Sequence, residues 1–172
     1  THPDITTSSF MKKISIKIQE PFIRFIIKSA KFIIVPNEYE KEIFTKYVHP
    51  KKIRIVTNGI EINDLSPSEI NFKKNYNIEG DFILFVGRFS KVKGVDVLIE
   101  AFSRIANDAR INNTKLVIMG VDFGYESEME ELIQSKGLEN KILVIKKPPR
   151  DHVLAAYNES NFLVLPSRWE LS

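Results

Sequence analysis

Residues 82–94 read Phe82-Ile83-Leu84-Phe85-Val86-Gly87-Arg88-Phe89-Ser90-Lys91-Val92-Lys93-Gly94, and Val95, Leu98, Ile99, Phe102 and Ile105 follow at spacings of three and four. Five apolar residues in a row fit a strand covered on both faces, a glycine opens the loop, and the later spacing fits a helix. The same unit recurs downstream. Strands are expected at 115–119, 142–145 and 162–165, and helical patterns at Met129, Leu132, Ile133 and at Val153, Leu154, Tyr157, with Gly137 as a left-handed cap. This alternation predicts an α/β fold with a Rossmann-like parallel sheet in the order 3-2-1-4 and flanking helices.

Upstream, 32–35 reads as a strand, Asn37 with Glu40 as a capping box for a short helix reaching Tyr47, and 53–56 as another strand closed by Asn58-Gly59. The turn-rich run 62–67 separates the two series. A boundary is therefore expected near 60–80, with 1–65 as the end of one domain and its linker and 66–172 as a second, incomplete domain. The chain opens on Thr1-His2-Pro3-Asp4 without Met and stops just past its last expected strand, so it reads as a fragment of a longer protein.

With 43% hydrophobic and 27% charged residues, the 172-residue chain can bury a core, and 7 Gly with 8 Pro exclude a collagen-like or low-complexity polymer. Zero Cys excludes disulfide scaffolds, cysteine-rich zinc sites and thiol nucleophiles, and fits a reducing, intracellular setting. Charge is uneven: residues 1–57 hold 11 Lys+Arg against 5 Asp+Glu (net +6), whereas 58–172 hold 14 against 17 (net −3). Within 10–34, six basic residues and Glu20 alternate with Phe10, Met11, Ile14, Ile18, Phe22, Phe25 and Ile26. That pattern fits a helix burying its apolar stripe in a core, the favoured reading, or one lying on an anionic membrane surface. Its lysines interrupt the apolar run too often for a membrane span. The acidic remainder of the chain argues against a nucleic-acid partner.

In the expected sheet, the loops after the first and fourth strands flank one crevice at the carboxyl edge, where ligands of such sheets bind. The first, Gly87 to Gly94, joins a glycine to Arg88, Lys91 and Lys93 ahead of a helix amino end, which suits a diphosphate, although solvated surface is the competing reading. It is neither a Walker A loop nor G-x-G-x-x-G. The second loop, Pro166-Ser167-Arg168-Trp169-Glu170, offers Glu170 either as an acceptor for sugar hydroxyls or as an exposed loop carboxylate, and Trp169 as a core or rim residue, with the core favoured.

Four ordered motifs resemble the family-four nucleotide-sugar glycosyltransferases of GT-B fold, a retaining family. They are Lys52-Ile53-Arg54-Ile55-Val56-Thr57-Asn58-Gly59-Ile60-Glu61, Phe85-Val86-Gly87-Arg88 with Lys93-Gly94, Leu116-Val117-Ile118-Met119-Gly120, and Leu165-Pro166-Ser167-Arg168-Trp169-Glu170. The resemblance implies that Arg88 and Lys93 hold the donor diphosphate and stabilise the departing nucleotide, and that Glu170 and Ser167 lie by the donor sugar. It implies further that Gly87 and Gly120 line the diphosphate and sugar, and that the loop 145–149, with Lys147 and Pro148, holds the nucleobase through backbone groups. Glu170 matches the first glutamate of the family's E-x-x-x-x-x-x-x-E motif, and the second would fall beyond residue 172. His2 lies near the position of a family histidine at the interdomain cleft. The glycine-rich stretch usual after the second strand departs here to Gly120-Val121-Asp122-Phe123-Gly124.

The implied reaction is hexosyl transfer, with retention, from a UDP- or GDP-sugar to a glycan or lipid-linked acceptor. No cofactor is expected, since the nucleotide sugar is a substrate, and the absence of D-x-D fits a metal-free site. A fragment of this extent is expected to bind donor even where it does not catalyse. A cytoplasmic location follows, with peripheral contact at the inner membrane face where 10–34 meets lipid. The alternatives are a sugar-nucleotide epimerase of similar fold and a non-catalytic nucleotide-binding or membrane-docking module.

Overall fold

The computed structural model describes residues 10–59, 69–111 and 113–170, with side chains from residue 19 onward. The chain divides into two compact units, Thr1–Ile60 with Leu171–Ser172, and Glu61–Glu170.

In the first unit, helix α1 (Phe10–Ser29) precedes strand β1 (Ile33–Val35), helix α2 (Glu38–Thr45) and strand β2 (Ile53–Ile55), and the two strands pair in parallel. Asn37 caps α2 as its sequence predicts, its Oδ1 accepting from the Glu40 N–H at 2.8 Å. The Lys52 ammonium donates to the carbonyls of Lys28 and Ala30 at 3.0 and 3.1 Å, closing the carboxyl end of α1. Of the stripe expected to be buried, the described part is not: Phe22 and Phe25 are each 67% exposed and Ile26 is exposed too, while the side chains of Phe10, Met11, Ile14 and Ile18 lie outside the described residues. Among the described residues, no helix is long and apolar enough to cross a membrane.

In the second unit, β3 (Phe82–Val86), β4 (Lys115–Gly120), β5 (Ile142–Lys146) and β6 (Phe162–Leu163) form one parallel sheet ordered β5-β4-β3-β6. This is the expected third-second-first-fourth order. Alternation along β3 sends Ile83 and Phe85 to one face and Phe82 and Leu84 to the other. The first face is covered by α4 (Val95–Ile105) and α5 (Glu126–Ser135), through Ile99, Phe102, Met129 and Ile133. The second is covered by α3 (Phe72–Asn75) and α6 (Arg150–Glu159), through Phe72, Ala155 and Ala156. Gly137 adopts the expected left-handed conformation after α5, at φ 64°.

One expectation changes, and one element was not expected. Strand β6 ends at Leu163, pairing with β3 among the described residues, and Phe162, Leu163 and Leu165 are exposed. Helix α3 carries too short a signal to be read from sequence, and α6 holds it in place: the N–H groups of Phe72 and Lys73 donate to the two carboxylate oxygens of Glu159 at 2.6 and 2.9 Å.

Candidate functional site

The carboxyl edge of the second unit's sheet is laced together beyond the strands themselves. Gly87 N–H donates to Met119 O at 2.9 Å, Phe89 N–H to Val121 O at 2.8 Å, and Lys147 N–H to Gly120 O at 2.7 Å. A Cβ built on Gly120 would run into the Gly87 carbonyl. The two glycines that the sequence places by the donor therefore meet each other, and bare main chain forms the floor between the ends of β3 and β4.

Above that floor, a 3-10 turn (Lys91–Lys93) ends at Gly94, which is left-handed at φ 70° and has no room for a Cβ against the Pro166 carbonyl. Arg168 N–H donates to Val92 O at 2.8 Å. The loops after β3 and β6 are thus in direct contact, and their chemically loaded residues meet. Lys93 Nζ lies 2.5 and 2.6 Å from the two carboxylate oxygens of Glu170, and Ser167 Oγ donates to Glu170 Oε1 at 2.5 Å. The Lys93 hydrogen bonds hold the Glu170 carboxyl below its usual range, helped by Ser167 and by the charges of Lys93 and Arg88. Arg88 itself stands with its guanidinium 4.9 Å from the centre of the Phe123 ring. Both cations therefore act on one carboxylate.

This differs from a crevice merely flanked by two separate loops. Glu170 is not an isolated acceptor: its oxygens are engaged by Lys93 and Ser167. Trp169 is half-buried and outside the core, contrary to the favoured core role, because the loop that carries it lies over the 3-10 turn at the surface. Lys147 adopts a left-handed φ of 49° with its side chain exposed, and Pro148 is half-buried beside it. His2 lies outside the described residues.

Three features escaped the sequence reading. Arg168 makes a two-pronged pair with Asp96 of α4, at 2.7 and 2.8 Å, and also donates to the Lys91 carbonyl. The Arg168 hydrogen bonds hold the Asp96 carboxyl below its usual range, outweighing the opposing effect of burial. An acid in the first turn of a helix is a visible signal, but nothing in the spacing points to an arginine 72 positions away. Asp122 replaces the missing glycine by capping α5, its Oδ1 accepting from the N–H groups of Gly124, Tyr125 and Glu126 at 2.9, 2.9 and 3.0 Å. Phe123, in the same departed stretch, supplies the ring under Arg88. Among the described residues, no group of three or more His, Asp or Glu side chains could hold a metal ion.

A parallel sheet of this order, with helices on both faces, is an α/β fold shared with GT-B glycosyltransferases. WaaG, a glycosyltransferase involved in lipopolysaccharide biosynthesis, matches over 98% of this chain and 48% of its own, with a TM-score of 0.78 and 19% identity. Anabaena HepE, solved in complex with UDP and glucose, matches over 80% of this chain and 38% of its own, with a TM-score of 0.68 and 17% identity. Residues 67–171 match the model of the glycosyl transferases group 1 family, and the chain belongs to that family. An uncharacterized glycosyltransferase of Methanocaldococcus jannaschii is 28% identical over 83% of this chain, and the GDP-mannose:cellobiosyl-diphosphopolyprenol alpha-mannosyltransferase of Xanthomonas campestris is 24% identical over 80%. The chain spans 38% and 34% of the lengths of these two curated relatives.

Proposed function

We propose that the second unit binds a nucleoside diphosphate sugar at the carboxyl edge of its sheet, and that the full-length enzyme transfers the hexosyl group to a glycan or lipid-linked acceptor hydroxyl with retention. The observation that carries this reading is the meeting of Lys93 and Ser167 with Glu170, from two different loops, beside a floor of bare backbone. Arg88 and Lys93 take the diphosphate. Glu170 and Ser167 face the donor sugar, and the backbone of 145–149 holds the base. As the bond between the anomeric carbon and the diphosphate breaks, the electron pair leaves with the phosphate. Two cations already in place stabilise that charge without a metal ion. Relatives named for GDP-mannose and polyprenyl diphosphate chemistry, and a neighbour solved with UDP and glucose, agree with this substrate class.

On this reading, Lys93 exchanges partners. The donor phosphate takes the ammonium, and the released Glu170 carboxylate accepts from a sugar hydroxyl. Calorimetric titration of the chain with UDP, GDP, ADP and their sugars tests the site and names the base. Arg88→Ala or Lys93→Ala should abolish that binding in a chain that still folds, and should cut turnover of the full-length enzyme ~100-fold or more. Unaltered binding and kinetics in both variants would refute the assignment.

The same reading gives α1 a peripheral contact with the anionic inner face of a membrane, favoured by exposed Phe22 and Phe25 beside Arg24 and Lys28.

A further inference from the structure

We infer that Arg168 and Asp96 are positioning residues: together they lock the loop after β6 onto the turn before α4, and so set Lys93 against Glu170. The inference rests on the donor-site reading for its consequence, but its geometry stands apart from it.

Lys93 and Glu170 are 77 positions apart in the chain and reach one another from different loops. Something must fix the separation of those loops, because two long flexible side chains at a surface gain little from pairing alone. The Arg168 guanidinium does this from one point. Its two terminal nitrogens take both oxygens of Asp96 on the first turn of α4, while it also donates to the Lys91 carbonyl and its backbone N–H donates to Val92 O. The two-pronged geometry fixes an angle as well as a distance. The anchoring points 91, 92 and 96 bracket Lys93, and residue 168 lies between Ser167 and Glu170. Arg168 thus holds the opposite loop by its main chain and its side chain together. At Gly94 the two backbones are already too close for a Cβ, so a loosened brace lets the turn retreat.

The test reads Glu170 directly. In carbon-detected NMR titrations of the 172-residue chain, Glu170 should titrate below the ordinary carboxylate range, and Asp96→Asn should move it back toward that range. The sign is diagnostic. Removing a nearby negative charge would by itself make Glu170 more acidic, so a shift the other way reports that Lys93 has drifted off. Arg168→Ala should act in the same direction, and the isosteric Asp96→Asn settles the matter should Arg168→Ala not fold. Arg168→Lys should recover part of the wild-type titration. Both disruptive variants should also weaken UDP, GDP or ADP by about tenfold, the scale of a small misplacement. An unmoved Glu170 titration in folded Asp96→Asn overturns the brace. A moved titration in a chain whose wild type binds none of the three nucleotides upholds the brace and overturns the donor site.

Discussion

Glu170 is at once a neighbour that restrains Lys93 and the group proposed to read the sugar. Replacing it by Gln keeps its volume but removes the charge and turns one of the two oxygens that accept from Lys93 into a donor, which frees the ammonium for phosphate. Glu170→Gln should therefore bind the free nucleoside diphosphate about two- to fivefold more tightly, the scale of an exposed ion pair, while the sugar nucleotide loses its advantage. Calorimetry with the two ligands side by side checks this, and equal losses for both would contradict the partner exchange. At this scale, the sequence exposed the chemistry but not the contacts. Arg88, Lys93 and Glu170 stood out because charges in βα loops are few and local. The Arg168–Asp96 pair was invisible because a contact spanning 72 positions leaves no local pattern. Gly120 was legible as a loop glycine, but its close contact with the Gly87 carbonyl was not, since that contact spans two strand ends.

Elements were read best where burial was two-sided and length sufficient. Strands β3, β4 and β5 carry continuous apolar runs, and α4 shows four buried residues at helical spacing, Val95, Leu98, Ile99 and Phe102. Helix α3 escaped because four residues give no period, and a distant Glu159 holds its amino end. Helix α1 was read correctly as amphipathic, but periodicity alone does not name what faces the stripe. Its exposed Phe22 and Phe25 supply the prediction at this scale: the chain should co-sediment with vesicles rich in anionic lipid, and Phe22→Ser with Phe25→Ser should reduce the bound fraction severalfold. Sedimentation that ignores both lipid charge and substitution would remove the membrane contact.

Across the second unit, the carboxyl edge of the sheet concentrates carboxylates that fold into favourable partnerships. Asp96 is held down first by Arg168, Asp122 by backbone N–H groups led by that of Tyr125, and Glu170 first by Lys93. Each is more acidic folded than unfolded. Its contribution is therefore full above the ordinary carboxylate range and disappears as the pH falls through the depressed folded value. Stability to urea should consequently hold from neutral pH down to about 5 and decline by a modest amount below about 4, because these groups stand largely in solvent. Asp122→Asn should flatten that drop, and a pH-independent stability in this window would contradict the partnerships. The sheet order was legible from the chain because short βα connections and their fixed hand leave few topologies.

The main-chain floor between Gly87 and Gly120 also bears on redesign. Gly120 accepts no side chain against the Gly87 carbonyl, so a library aimed at the proposed donor site gains nothing from varying that position. Diversity belongs beside it, at 121 and 148, clear of the Asp122 cap and of the Phe123 ring under Arg88.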